Sequence, residues 1–205
     1  RMSRGLGDVY KRQYLNNAPK YAINTYYDET VQNSYNILFM PAFVINLLSL
    51  FVFRPLLTDL ARDWEGENIK EFTDIVKKMM ILIGALTIAA CVGAYLLGIP
   101  ILSHVYGVDL RAYRMELVII MICGGLNAYV YCLYYVVTVT GKQIFLLLGY
   151  GAGLIFAVFL GSGFVKSLGM LGAALSCTLS FGVVFIVFLI ITSCVVKDRK
   201  KKTEV

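Results

Sequence analysis

Five stretches of this chain contain no Asp, Glu, Lys, Arg or His: residues 30–53, 79–103, 117–141, 143–165 and 167–196, each at least 23 residues long. An α-helix needs about 20 apolar residues to cross the roughly 30 Å hydrocarbon core of a bilayer. Each stretch is long enough. In lipid, every backbone donor and acceptor must be satisfied within the segment, which leaves helices as the form such runs take. The expected fold is therefore an all-α polytopic membrane protein with five transmembrane helices, at about 31–53, 79–97, 116–137, 144–164 and 170–195. Charged residues make up 16% of the chain, against about 25% in soluble domains.

The segment between the first two runs, Arg54 to Lys78, carries dense charge, with five basic residues at Arg54, Arg62, Lys70, Lys77 and Lys78. Short Lys/Arg-rich loops stay on the cytoplasmic side. With that loop inside, the Lys142 turn and the tail 197–205 are inside too, giving eleven basic residues. The opposite side holds four: Lys20, Arg111, Arg114 and Lys166. The net charge of +6 thus reads as membrane orientation, not as nucleic-acid binding, and the C-terminus is expected in the cytoplasm. Ile69, Phe72, Val76 and Met79 recur at helical spacing. They predict an amphipathic helix that lies in the headgroup region and then turns into the second span.

Residues 1–13, RMSRGLGDVYKRQ, lack both helical apolar spacing and the apolar core of a signal peptide. They read as a non-native leader. The transmembrane region then covers 14–196. Tyr14 to Glu29 carries four tyrosines and is expected outside, at the membrane–water interface. An external start to an odd number of helices implies a missing upstream part. The first span contains Pro41, which removes a backbone donor and is expected to kink the helix, and Asn46 lies beyond it. The third span contains Asn127. Gly149 and Gly153 form a GxxxG pair, and Gly172 opens the last span with Ala173 and Ala174; such small-residue faces let helices approach closely.

All five cysteines lie inside the apolar runs, without CxxC spacing, and His104 is the sole histidine. Neither a disulfide, a metal site nor a cofactor is expected. Asp28, Glu29, His104, Asp109 and Glu116 are scattered and build no acid–base constellation, so no enzyme is expected.

Several stretches occur in a suggestive order: Asn17-Ala18-Pro19-Lys20-Tyr21 before a span, then Pro55 in RPLLTDLARDWEGENIKEF. Val105-Tyr106-Gly107, Thr140-Gly141-Lys142-Gln143 and Leu168 to Ala174 (LGMLGAA) follow. Over residues 14–196 the succession resembles the C-terminal half of polysaccharide flippases of the multidrug, oligosaccharidyl-lipid and polysaccharide exporter superfamily. The resemblance implies one lobe of a two-lobed protein of 12–14 helices around a central cavity. It implies alternating access, a lipid-linked oligosaccharide as cargo, and a missing N-terminal lobe as intramolecular partner.

On that reading Lys20 and Arg54, at the two ends of the first span, meet the anionic pyrophosphate, while Asn46 and Asn127 meet sugar hydroxyls. The alternatives are headgroup snorkelling for the cations and interhelical hydrogen bonds for the asparagines. An ion-coupled multidrug exporter of the same superfamily is the rival function, although no carboxylate lies within the five runs. A structural membrane subunit is the third reading.

Overall fold

The structure is a computed structural model that describes residue 15 and residues 17–203, without the side chains of residues 160, 202 and 203. The expected leader, 1–13, lies outside the described residues. Helix α1 covers residues 17–26. It is followed by α2 (Glu29–Phe53), α3 (Leu56–Glu65), α4 (Ile69–Gly93), a π-helical turn (Ala94–Gly98), α5 (Ile99–Tyr106), α6 (Arg114–Val139) and α7 (Leu146–Thr203). The protein is all-α among the described residues. Four helices are long and apolar enough to cross a membrane: Glu29–Phe53, Ile69–Tyr106, Arg111–Val139 and Gly161–Lys201. Gln143–Phe159 is apolar but shorter.

Helix α7 is two helices joined at Gly169, whose backbone (φ 59°, ψ −131°) lies where glycine alone is at ease. The reversal folds residues 170–203 back along residues 146–168. A Cβ at Gly172 would strike the Phe164 carbonyl, one at Gly161 would sit 2.9 Å from Ser176 Oγ, and one at Gly153 would strike Val184. The five expected spans thus correspond to α2, the α4–α5 run, α6 and the two arms of α7.

Contacts between helices give their directions. Ala42 backs onto Gly124 and Phe53 onto Tyr135, so α2 and α6 are parallel. Gly84 meets Tyr129 and Gly125 meets Thr87, so α4 and α6 are antiparallel. Thr178 Oγ1 donates to the Ile119 carbonyl at 3.3 Å, and Tyr129 stacks near Phe185, so the second arm of α7 is parallel to α6. Successive segments therefore alternate in direction, as consecutive crossings must. Helix α6 stands at the centre, touching α2, α4 and α7.

Two expectations about the ends of spans need correcting. Residues Ile69 to Gly93 form one unbroken helix, so there is no turn between the amphipathic stretch and the second span. Phe72 and Met79 are buried while Lys70, Glu71, Asp74, Lys77 and Lys78 are exposed. The amphipathic turns are simply the end of the spanning helix. The separate short helix is instead α3, whose Leu60 joins Phe72 and Val136 in a small separate core, with Trp64 and Val196 packed against it. At the other end of α4 the helix does not stop near 97. Pro100 cannot donate to the carbonyl four residues back. The π-helical turn immediately before it absorbs that defect, and the helical run continues to Tyr106. Gly107 (φ 66°) then ends it in the left-handed region.

Candidate functional site

Of the site residues expected from sequence, Asn46 lies on α2, Asn127 on α6, Lys20 on α1 and Arg54 at the end of α2. That helix runs through Pro41 without interruption. Its buried residues Ser34, Tyr35, Leu38, Phe39, Ala42, Ile45 and Ser49 follow three- and four-residue steps, so they form one stripe turned into the bundle.

Lys20 departs from its expected place. Helix α1 packs into the bundle, although Tyr21, Tyr26 and Tyr27 stay exposed. Leu15, Pro19 and Ile23, spaced by four, are buried, with Leu15 at 1% exposure and Ile23 at 0%. Leu15 lies near Gly153, while Tyr27 reaches Gly169 at the reversal of α7. Helix α1 therefore runs down along α7 and is antiparallel to α2. Lys20 is consequently half-buried, with its ammonium 5.3 Å from the centroid of the Phe39 ring on α2. A cation over an aromatic face gains about 0.5–2 kcal/mol, more as water is excluded. Among the described residues no carboxylate is ion-paired with it.

Asn46 and Asn127 come to one level. Asn46 is four residues beyond Ala42 and Asn127 three beyond Gly124, and Ala42 and Gly124 touch across two parallel helices. Asn46 Nδ2 donates to the Ala42 carbonyl at 3.2 Å, leaving its buried Oδ1 without a partner. Asn127 is buried, at 5% exposure.

Arg54 is not brought to this group. It is exposed at the end of α2, where its backbone N–H donates to the Leu50 carbonyl. Fifteen residues separate it from Phe39, about 22 Å along a helix.

Two further polar groups share the stripe and were missed from sequence. The Tyr35 hydroxyl and Ser49 Oγ are buried; Ser49 Oγ has no hydrogen-bond partner, while the Tyr35 hydroxyl lies within reach of the Cys177 thiol. Tyr35 stacks on Phe39 with centroids 5.8 Å apart. The signal was available, because residues 35, 42, 46 and 49 fall on one helical face. Beside Tyr35 lie the thiols of Cys123 and Cys177, one donating to the other at 2.8 Å. The five cysteines are free thiols.

The glycines expected for packing lie between the arms of α7. A Cβ at Gly149 would strike the Phe188 ring, and one at Gly153 would strike Val184 and come within 3.3 Å of the Ser180 carbonyl. Gly172 lies against the Phe164 carbonyl. The described residues contain no cluster of three or more His, Cys, Asp or Glu side chains that could hold a metal.

The α2 stripe and its neighbours on α1 and α6 thus gather one cation, two amides, a phenol and the two hydroxyls of Ser34 and Ser49. Comparison of the chain with protein-family models, with curated proteins and with solved structures finds no match.

Proposed function

We propose that this membrane protein acts as one lobe of a two-lobed flippase, which turns lipid-linked oligosaccharide or polysaccharide precursors across the cytoplasmic membrane by alternating access. The carrying observation is Lys20. A cation in the middle of a spanning bundle is costly, by about 2.5–3.5 kcal/mol on insertion scales, and such residues mark substrate or ion pathways. The ammonium suits the anionic pyrophosphate of the cargo, and the asparagine pair some 10 Å further along α2 suits a sugar. In this reading the partners are the lipid-linked glycan, the bilayer and the other lobe, and the chain performs no covalent chemistry.

Lys20→Gln in the full-length protein, reconstituted in liposomes with a fluorescent lipid-linked oligosaccharide, should flip about tenfold more slowly at equal abundance, the equivalent of one charge contact. Lys20→Arg should retain most of the rate. Wild-type flipping by Lys20→Gln removes the charge from the mechanism. Gradient-driven efflux of cationic dyes without lipid flipping would establish the exporter reading instead.

The proposed orientation puts the tail in the cytoplasm. Single cysteines at Asn68 and Lys200 should then resist an impermeant thiol reagent outside intact cells, while one at Asp109 reacts. The opposite pattern inverts the topology.

A further inference from the structure

The end of α7 that lies against α3 forms a second charged region, some distance from Lys20. The helix continues past its last apolar residues, Val195 and Val196, into Lys197, Asp198, Arg199, Lys200 and Lys201. Arg199 fixes it in place. Its Nη2 donates to Glu67 Oε1 at 3.0 Å, and its guanidinium stacks over Trp64 with 5.3 Å to the ring centroid. Glu67 holds this position from a left-handed backbone conformation (φ 60°) in the turn between α3 and α4. The tail is therefore a docked helix rather than a free basic peptide.

Docking closes a cleft of about 500 Å³ lined by Trp64, Thr140, Lys142, Val195, Asp198, Arg199 and Lys201. With Arg199 engaged, Lys142 and Lys201 supply the remaining positive charge. Among the described residues neither has an ion-pair partner. A second cleft adjoins it, shares Asp198 and Lys201, and adds Cys194, Lys197 and Lys200. Below them, Cys194 and Ile190 are exposed on the apolar part of the helix. A cationic cleft thus opens directly onto a lipid-facing apolar wall, with a tryptophan at the border, the side chain enriched where headgroups meet tails.

We propose that this cleft binds the phosphate head of an anionic membrane phospholipid, with Lys142 and Lys201 on the phosphate, Trp64 beside the glycerol, and the acyl chains along Cys194 and Ile190. Basic residues at a membrane surface attract such headgroups, and here two of them are held on separate elements across one cleft. A free phosphate would satisfy the lysines but leave the apolar wall unused.

Trp64 is the sole tryptophan, so its emission reports on the cleft. The detergent-purified full chain is titrated with short-chain phosphatidylglycerol, with phosphatidylcholine of equal chain length, and with inorganic phosphate. Phosphatidylglycerol should produce a saturating change in Trp64 emission that the other two do not at the same concentration. The K142Q/K201Q double variant should bind about thirtyfold more weakly. K77Q/K78Q, which removes two exposed lysines of α4 outside the cleft, should bind as wild type. An equal response to phosphatidylcholine would overturn the proposal in favour of unselective apolar adsorption. Saturation by inorganic phosphate would overturn it in favour of a free-anion site, and wild-type binding by K142Q/K201Q would remove the cleft from the interaction.

Discussion

Helices α4 and α6 are both apolar enough to span a bilayer, yet they live in opposite surroundings. The most apolar window of the α4 run has a mean hydropathy of 2.3 and is 11% buried, whereas that of α6 has 1.9 and is 61% buried. The more hydrophobic helix is the less buried one. In water this ordering would be perverse. In lipid it is expected, because tails are as apolar as leucine and burial gains nothing from hydrophobicity alone. Close approach decides instead. Helix α6 carries Gly124, Gly125, Asn127 and Ala128, all buried, with Ala42 against Gly124 and Thr87 against Gly125. On helix α4, Ile81, Ile88 and Val92 are all exposed.

The sharpest way to break this contrast is to change three side-chain carbons on each side of it. A Cβ at Gly124 would come within 3.0 Å of Ala42 Cα and 3.1 Å of its carbonyl oxygen, and a backbone cannot move aside as a side chain does. Gly124→Val should destabilise the bundle by about 3 kcal/mol, lowering the detergent melting temperature and membrane abundance. Ile88→Ala, which removes as many side-chain carbons from α4 as Gly124→Val adds to α6, should cost within about 0.5 kcal/mol. Equal losses from the two would show that α4 has a protein neighbour on its exposed face.

A smaller effect sharpens the seam between the two helices. The Tyr129 hydroxyl donates to the Met80 carbonyl at 3.0 Å. Interhelical hydrogen bonds in membranes average about 0.6 kcal/mol, so Tyr129→Phe should lower stability by about that amount in a detergent unfolding titration. A loss of several kcal/mol would mean that the hydroxyl anchors α4 far more strongly than a single bond allows.

Much of the fold was legible because ionised side chains are so costly in lipid that they bracket each span. The windows at 30–53 and 117–141 coincide closely with α2 and α6, and the order of directions follows from their number. Other features escaped for identifiable reasons. Helix α1 was read as interfacial because its tyrosines drew the eye, whereas the buried set Leu15, Pro19 and Ile23 is a minimal apolar face. The unbroken α4 was missed because the charges at 70–78 look like a boundary; a helix does not end where its surroundings change from lipid to water. The centrality of α6 could not be read from hydropathy at all, since it rests on the partners of its small residues. The placement of Asn46 and Asn127 at one level needed the pairing of Ala42 with Gly124, which no local pattern encodes. Lys20 was legible as an unusual charge, but its depth depended on the course of α1.

The reversal at Gly169 has a kinetic consequence. Its two arms meet through residues close in sequence, Phe164 with Gly172 and Gly161 with Ser176, so little chain entropy is lost in closing them. The contact of Ala42 with Gly124 must gather in far more chain. Low contact order favours early formation. The arms of α7 are thus a local hairpin that is expected to pair without waiting for the rest of the bundle.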